Sequence, residues 1–158
     1  MTRKTLATFA VLAMALLLTS GVALADRVRC KTDPCRGTEQ ADVITGRQQK
    51  DAIFALGGDD EIAARSGDDR VNGGAGDDLI FGEAGKDRLD GGVGADNIVG
   101  GDDADIISGG SGSDTIDAAS DEGPGPVSDD VQCGSGFDTV TADTTDKVAS
   151  DCESVTRT

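Results

Sequence analysis

The chain of 158 residues has no histidine, tryptophan or tyrosine, and aromatic residues make up only 3% of it. Nucleophilic catalysis by serine needs a nearby base, and none of the serines here lies in a motif that supplies one. Histidine is also a common zinc ligand, and the four cysteines do not have the spacing of a site built from cysteine alone. These absences argue against an enzyme and against a zinc protein.

Positive charge is also scarce, with 14 lysine and arginine residues against 30 aspartate and glutamate residues and a net charge of −16. Residues 1–25 contribute only Arg3 and Lys4, so the rest of the chain carries −18. Such a chain repels a phosphate backbone, which excludes nucleic acid as a partner. Composition alone favours a flexible, solvated acidic segment, because crowded aspartates repel one another when no cation is present.

What the sequence does have is a nine-residue repeat that runs without a break from Gly37 to Asp117. The sixth position of every block is aspartate: Asp42, Asp51, Asp60, Asp69, Asp78, Asp87, Asp96, Asp105 and Asp114. The eighth position is always aliphatic: Ile44, Ile53, Ile62, Val71, Ile80, Leu89, Ile98, Ile107 and Ile116. Disorder does not require an aliphatic residue at every ninth position, so the repeat predicts a regular structure.

The last three residues of each block, such as Leu79, Ile80 and Phe81, form a predicted strand whose middle side chain faces the core. Two blocks make one coil, so that block n stacks on block n+2 at the strand spacing of about 4.8 Å. The predicted fold is all-β, a parallel β-roll (β-solenoid) with two repeats per coil and capped ends. Its core is thin, and burial alone does not offset the cost of ordering the backbone, about 1 to 2 kcal/mol per residue.

The first six residues of each block form loops that suit a cation. In the fifth block, Gly73, Gly74 and Gly76 let the backbone take positive φ, which directs carbonyl oxygens at one point, and Asp78 adds charge. Ca²⁺ takes six to eight oxygen ligands of these two kinds, so we expect several Ca²⁺ ions between stacked loops. The predicted metal-binding residues are Asp60, Asp69, Gly73, Gly74, Gly76, Asp78, Gly82, Gly85, Asp87, Gly91, Gly92, Gly94, Asp96, Gly100, Gly101, Asp105, Gly109, Gly110, Gly112 and Asp114.

The loops are not equivalent. The first block has one glycine and the second places Arg47 and Lys50 in its loop, which predicts two poor sites. The third and fourth blocks begin with Ala55 and Ala64 and are intermediate, while Asp103 replaces a glycine in the eighth and adds negative charge. The best predicted slots pair loop 73–78 with 91–96, 91–96 with 109–114, 64–69 with 82–87, and 82–87 with 100–105.

Read as G-G-x-G-x-D-x-U-x, with U aliphatic, the repeat resembles the hemolysin-type (RTX) calcium-binding nonapeptide family over residues 37–117. The resemblance implies a parallel β-roll that folds around rows of Ca²⁺ in a calcium-rich exterior. In that family the roll is often an appendage of toxins, proteases or lipases and is not itself catalytic. The chain departs from many RTX toxins, which resemble one another in carrying a C-terminal export signal.

Residues 1–25 are typical of a secretory signal peptide cleaved after Ala25. Arg3 and Lys4 precede an apolar stretch from Leu6 to Leu18, and Ala23-Leu24-Ala25 is a small-residue cleavage motif. The alternative is an uncleaved N-terminal anchor, although the apolar stretch is short for a membrane span and no second one follows. The predicted location is therefore extracellular, where calcium is plentiful.

The four cysteines, Cys30, Cys35, Cys133 and Cys152, allow three pairings in an oxidising compartment. We favour Cys30 with Cys35 and Cys133 with Cys152, because each bond would then staple one end of the solenoid. The predicted segments are a signal peptide (1–25), an N-terminal cap (26–36), nine repeats (37–117), an inserted loop with a degenerate repeat around Asp129 and Val131 (118–132), and a final repeat with a C-terminal cap (133–158).

The predicted function is that of a secreted, non-catalytic, calcium-binding β-roll. The alternative is a calcium-dependent adhesin or cell-surface interaction module whose protein or surface partner is unidentified. The outward seventh and ninth positions bear on it because they hold Phe54, Leu79 and Phe81, which would form an apolar patch if they lay together.

Overall fold

A computed structural model describes residues 25–119 and 127–158, in which every element is a β-strand. The strands are β1 (Asp26–Arg29), β2 (Cys35–Arg36), β3 (Asp42–Thr45), β4 (Ala52–Gly57), β5 (Glu61–Ala63), β6 (Arg70–Ala75), β7 (Leu79–Ala84), β8 (Arg88–Val93), β9 (Asn97–Asp102), β10 (Ile106–Ser111), β11 (Thr115–Asp117), β12 (Asp130–Ser135), β13 (Thr139–Ala142), β14 (Lys147–Val148) and β15 (Ser154–Arg157). The predicted signal peptide and residues 120–126 of the predicted insert lie outside the described residues.

The strands alternate between two parallel sheets. One sheet, here called the odd sheet, runs β1-β3-β5-β7-β9-β11-β13-β15, and the other, the even sheet, runs β2-β4-β6-β8-β10-β12-β14. Pairing joins residues 18 apart, as in Ile62 with Ile80 and Val71 with Leu89, because two nine-residue blocks make one coil. The predicted parallel β-roll is confirmed, with about seven turns in the described chain.

The core is the predicted ladder of eighth-position side chains. From Ile44 to Ile116 every one of these side chains is at most 1% exposed. Neighbouring rungs belong to alternate sheets, so the ladder fills the narrow space between the two sheets. Each rung packs on the rungs of the coils above and below it, which fixes the register of the loops.

The repeat continues beyond residue 117 at altered spacings. Strands β10 and β12 pair residues 24 apart, so this coil holds six more residues than the 18-residue coils of the repeat. Val131 and Val140 extend the ladder and are fully buried. Ala118, at the start of the predicted insert, is also buried and donates its N–H to the carbonyl oxygen of Thr141.

A disulfide lies at each end of the solenoid. Cys30 is bonded to Cys35 and Cys133 to Cys152. The first closes the turn that precedes the repeats, and the second ties β12 to the turn before β15. The part of the chain that the structure describes has no helix long and apolar enough to cross a membrane.

Candidate metal centre

The sixth-position aspartates form two buried columns, one beside each sheet. The odd-sheet column holds Asp42, Asp60, Asp78, Asp96, Asp114 and Asp138, and the even-sheet column holds Asp51, Asp69, Asp87, Asp105, Asp129 and Asp146. All of these residues are at most 7% exposed. Stacking at the strand spacing therefore places one buried carboxyl group above the next along each column.

The two oxygens of a carboxylate differ in their partners. Oδ1 of Asp78 accepts a hydrogen bond of 2.9 Å from the main-chain N–H of Asp60, and Oδ1 of Asp96 accepts one of 2.9 Å from Asp78. The same link recurs from coil to coil along both columns. These bonds hold each side chain in one orientation and join consecutive loops.

The second oxygen is buried without any hydrogen-bond donor. This is true of Oδ2 in Asp60, Asp69, Asp78, Asp87, Asp96, Asp105, Asp114, Asp129 and Asp138. A buried charged oxygen without a partner is costly, and a hard cation or a proton removes that cost. The recurrence of the same unpartnered atom in nine loops fits a row of cations.

The first-position glycines leave space next to these oxygens. A Cβ built on Gly82 would lie 2.7 Å from Oδ2 of Asp87, and one on Gly100 would lie 2.7 Å from Oδ2 of Asp105. Main-chain carbonyl oxygens border the same space: a Cβ on Gly91 would lie 2.6 Å from the carbonyl oxygen of Gly109. A carboxylate and a carbonyl oxygen thus meet at the loops that begin with Gly73, Gly82, Gly91 and Gly109, and these are the donors that Ca²⁺ prefers.

This geometry corrects the predicted reason for Gly73. Gly74 and Gly76 do have positive φ, of 114° and 127°, as predicted. Gly73 does not, and a side chain there would instead collide with Oδ2 of Asp78 and lie 2.6 Å from the carbonyl oxygen of Gly91. Where glycine stands at the first position of the repeat it provides space, whereas at the second and fourth positions it adopts positive φ without strain.

Five loops combine an open first position with an unpartnered Oδ2 of the aspartate. They contain Asp78, Asp87, Asp96, Asp105 and Asp114. The loops of Asp60 and Asp69 begin with the buried methyl groups of Ala55 and Ala64, and the loop of Asp138 begins with Cys133, so side-chain atoms take up that space. In the described residues no three acidic, histidine or cysteine side chains converge on one point, so main-chain carbonyls would have to complete each coordination shell.

Burial raises the pKa of these carboxyl groups, because desolvation disfavours the charged form. It raises the pKa of Asp87 to about 8 and that of Asp105 to about 7. Burial likewise raises the pKa to about 6 in Asp60, Asp69, Asp78, Asp96 and Asp129. The hydrogen bond from the main-chain N–H acts in the opposite direction at each of them, and neighbouring aspartates add to the rise. In the absence of a cation, Asp87 and Asp105 are therefore the groups that hold a proton near neutral pH.

Sequence reasoning left Asp129 and Asp138 out of the metal-binding residues, although both have the same buried, unpartnered oxygen as the others. The sequence signal for both residues is an aspartate two positions before a valine. The insert shifts this pair of residues out of the nine-residue register. Phe54 lies on the even sheet while Leu79 and Phe81 lie on the odd sheet, so these three side chains do not form one apolar patch.

The family model described as the RTX calcium-binding nonapeptide repeat (4 copies) matches residues 36–62, 63–98 and 90–122. Together these segments cover more than half of the chain and include all five of the open loops. No curated protein and no solved structure matches the chain.

Proposed function

Because the chain belongs to the RTX calcium-binding nonapeptide repeat family, we propose that it is a secreted, non-catalytic protein that folds around several Ca²⁺ ions. The observation that supports this most directly is the unpartnered Oδ2 atom repeated along both columns. The proposed ligands are these oxygens together with the neighbouring loop carbonyls. The open loops of Asp78, Asp87, Asp96, Asp105 and Asp114 are the best candidates.

In this proposal the chain's own residues prepare the sites. Main-chain N–H groups fix one oxygen of each aspartate, the glycines keep the adjacent space open, and the aliphatic ladder sets the loop spacing. Bound Ca²⁺ would supply positive charge between the stacked carboxylates. If each ion bound with a dissociation constant of about 0.1 mM in about 1 mM calcium, it would add roughly 1.4 kcal/mol of stability.

We propose that residues 1–25 direct export and are removed after Ala25. The two disulfides fit an oxidising compartment outside the cytosol. The proposed lack of catalysis is supported by the regular recurrence of the aspartates, since a catalytic acid and base would form a unique pair.

The proposal is tested by far-UV circular dichroism of Asp26 to Thr158 with both disulfides formed. Above pH 8, where the buried carboxyl groups are ionised, we expect little β signal in EDTA and a cooperative gain on titration with calcium, with no such gain on titration with magnesium. A chain that stays unstructured at millimolar calcium would refute calcium-dependent folding. Full β structure without metal would leave the solenoid in place but remove the proposed role of the ion in folding.

A second candidate function is a calcium-dependent adhesin. A groove of about 310 Å³ lies on the outer face of the even sheet and is lined in part by Phe54, Arg70, Arg88 and Ile106. Arg70 and Arg88 are direct neighbours on β6 and β8, and like charges in that arrangement repel. An anionic surface partner would relieve that repulsion.

Capture from cell-surface material, with calcium and with EDTA, separates the two functions. The adhesin predicts a partner that is retained only with calcium and is lost in the double variant R70Q/R88Q. The variant R27Q/R29Q removes the same charge from the odd sheet and serves as the control. Equal capture by the wild type, R70Q/R88Q and R27Q/R29Q would count against a role for this groove.

A further inference from the structure

Two arginines occupy the same place in successive loops of the even-sheet column. Arg47 precedes Asp51 by four residues, and Arg65 precedes Asp69 by four residues. Each is the second residue of its block. Their surroundings nevertheless differ. Arg65 is exposed with a φ of 84°, whereas Arg47 is half-buried and lies against the carboxylate of Asp51.

Arg47 satisfies both oxygens of Asp51. Its Nε and Nη2 lie 2.5 Å from Oδ1, and its main-chain N–H donates a 2.6 Å hydrogen bond to Oδ2. Asp51 is 1% exposed, and this is the only ion pair among residues 25–119 and 127–158. Asp51 therefore lacks the unpartnered oxygen that Asp69, Asp87 and Asp105 have in the same column.

The position of Asp51 in the column explains why a fixed charge is useful there. The turn stacked before its loop is the Cys30–Cys35 disulfide turn, which contains no glycine. An ion at this end would therefore have a repeat loop on one side only. At the other end of the column, both carboxylate oxygens of Asp146 have hydrogen-bond donors. Oδ1 accepts a hydrogen bond from the main-chain N–H of Asp129, and Oδ2 accepts one from the main-chain N–H of Asp143.

We propose that Asp51 binds no Ca²⁺, because the guanidinium of Arg47 is a built-in cation that supplies the counter-charge at Oδ1 while the main-chain N–H of Arg47 occupies Oδ2. The row of ions on this side of the roll then begins one coil later than the row of aspartates. The guanidinium stays charged at any physiological pH, and it compensates the buried carboxylate without requiring calcium. This inference rests on the proposed function, because it states which loop of a calcium-binding roll holds no ion.

The first test counts bound calcium at saturation by equilibrium dialysis and metal analysis of the exported chain with both disulfides formed. The variant D51N should bind as many ions as the wild type, because Asp51 holds none. The matched variant D87N, two coils along the same column, should bind one fewer. One fewer ion in D51N would overturn the inference.

The second test measures thermal unfolding in saturating calcium. The variant R47Q should lower the Tm by about 5 °C or more, because it leaves a buried carboxylate without a counter-charge. The control R65Q removes an arginine from the same position of the next loop and should leave the Tm unchanged. In the D51N background, R47Q should lower the Tm only slightly, because the buried carboxylate is no longer there.

The remaining outcomes are also decisive. An R47Q protein as stable as the wild type would overturn the inference, as would an equal loss with Asn at position 51. If R47Q fails to fold, the calcium count of D51N decides alone. A wild-type chain that binds no calcium would refute the proposed function itself and is distinguished by its zero count.

Discussion

A repeat aspartate in this roll has two separate duties, one for each carboxylate oxygen. Oδ1 links neighbouring coils by accepting a main-chain N–H, and Oδ2 is left buried beside a glycine and a carbonyl oxygen. A glutamate would displace both atoms by one methylene group. The requirement for aspartate at every sixth position therefore follows from hydrogen bonding in the stack as much as from metal binding.

Backbone strain is a second property of single residues. The described chain has four non-glycine residues with positive φ: Leu56, Arg65, Glu83 and Asp103. Three of them stand at the second position of a block and Asp103 at the fourth, where most other blocks have glycine. Side chains in this conformation cost of order 1 to 3 kcal/mol each.

The variant E83G should therefore stabilise the protein. Glu83 has a φ of 70°, and glycine adopts that conformation without strain, although it loses more backbone entropy on folding. We expect a net gain of about 0.5 to 1 kcal/mol in the free energy of unfolding, measured by denaturant unfolding in saturating calcium. The control E83A removes the same charge but keeps the strain, so a comparable gain in E83A would assign the effect to charge.

At the scale of the element, each strand separates the inside of the roll from its outside. Ile106 and Ile107 are adjacent on β10, yet Ile107 is fully buried between the rungs Leu89 and Val131 while Ile106 is 43% exposed. The alternation of side chains along a strand places them on opposite faces.

The variants I107A and I106A should consequently differ in stability. Removing Ile107 leaves a cavity in a core only one side chain wide, which should cost about 2 to 5 kcal/mol. Removing Ile106 should change the free energy of unfolding by no more than about 0.5 kcal/mol. Calorimetry at saturating calcium compares the two, and similar losses would contradict the assignment of inward and outward faces.

At the scale of the whole molecule, the columns of buried carboxyl groups should couple folding to protons and, under the proposed function, to calcium. Burial raises the pKa of Asp87 to about 8 and that of Asp105 to about 7, above the ordinary value of 3.8. A group whose pKa rises on folding stabilises the fold fully below its unfolded pKa. That contribution is lost as the pH rises through the folded value. The metal-free roll should thus be more stable in acid than at neutral pH.

Folding in EDTA should accordingly weaken between pH 5 and pH 8, as measured by the β signal and by urea unfolding. With calcium the dependence reverses, because ions and protons compete for the same oxygens. The calcium concentration at half-folding should fall as the pH rises from 6 to 8. A metal-free chain that gains structure with rising pH would contradict the raised pKa values.

Much of this architecture is readable in the sequence, because a strict period leaves little freedom. An aliphatic residue at each eighth position and an aspartate at each sixth specify the ladder, the coil of 18 residues and the parallel pairing. The sequence determines the neighbours of outward-facing side chains less well. Phe54 and Phe81 share a repeat position, but Phe54 lies on the even sheet and Phe81 on the odd sheet. Residues that look alike along the chain are therefore not always neighbours in space.

The sequence by itself determined the fold class, the two aspartate columns and the kind of ion they suit, since each follows from the repeat. Only the tertiary structure decided what individual members of the repeat do. Arg47 and Arg65 occupy the same repeat position, yet one neutralises Asp51 while the other faces solvent at positive φ. Gly73 and Gly74 are likewise adjacent and identical, yet one provides space and the other a backbone conformation. The physical reason is that such roles depend on the coil above and the coil below, 18 residues away in sequence.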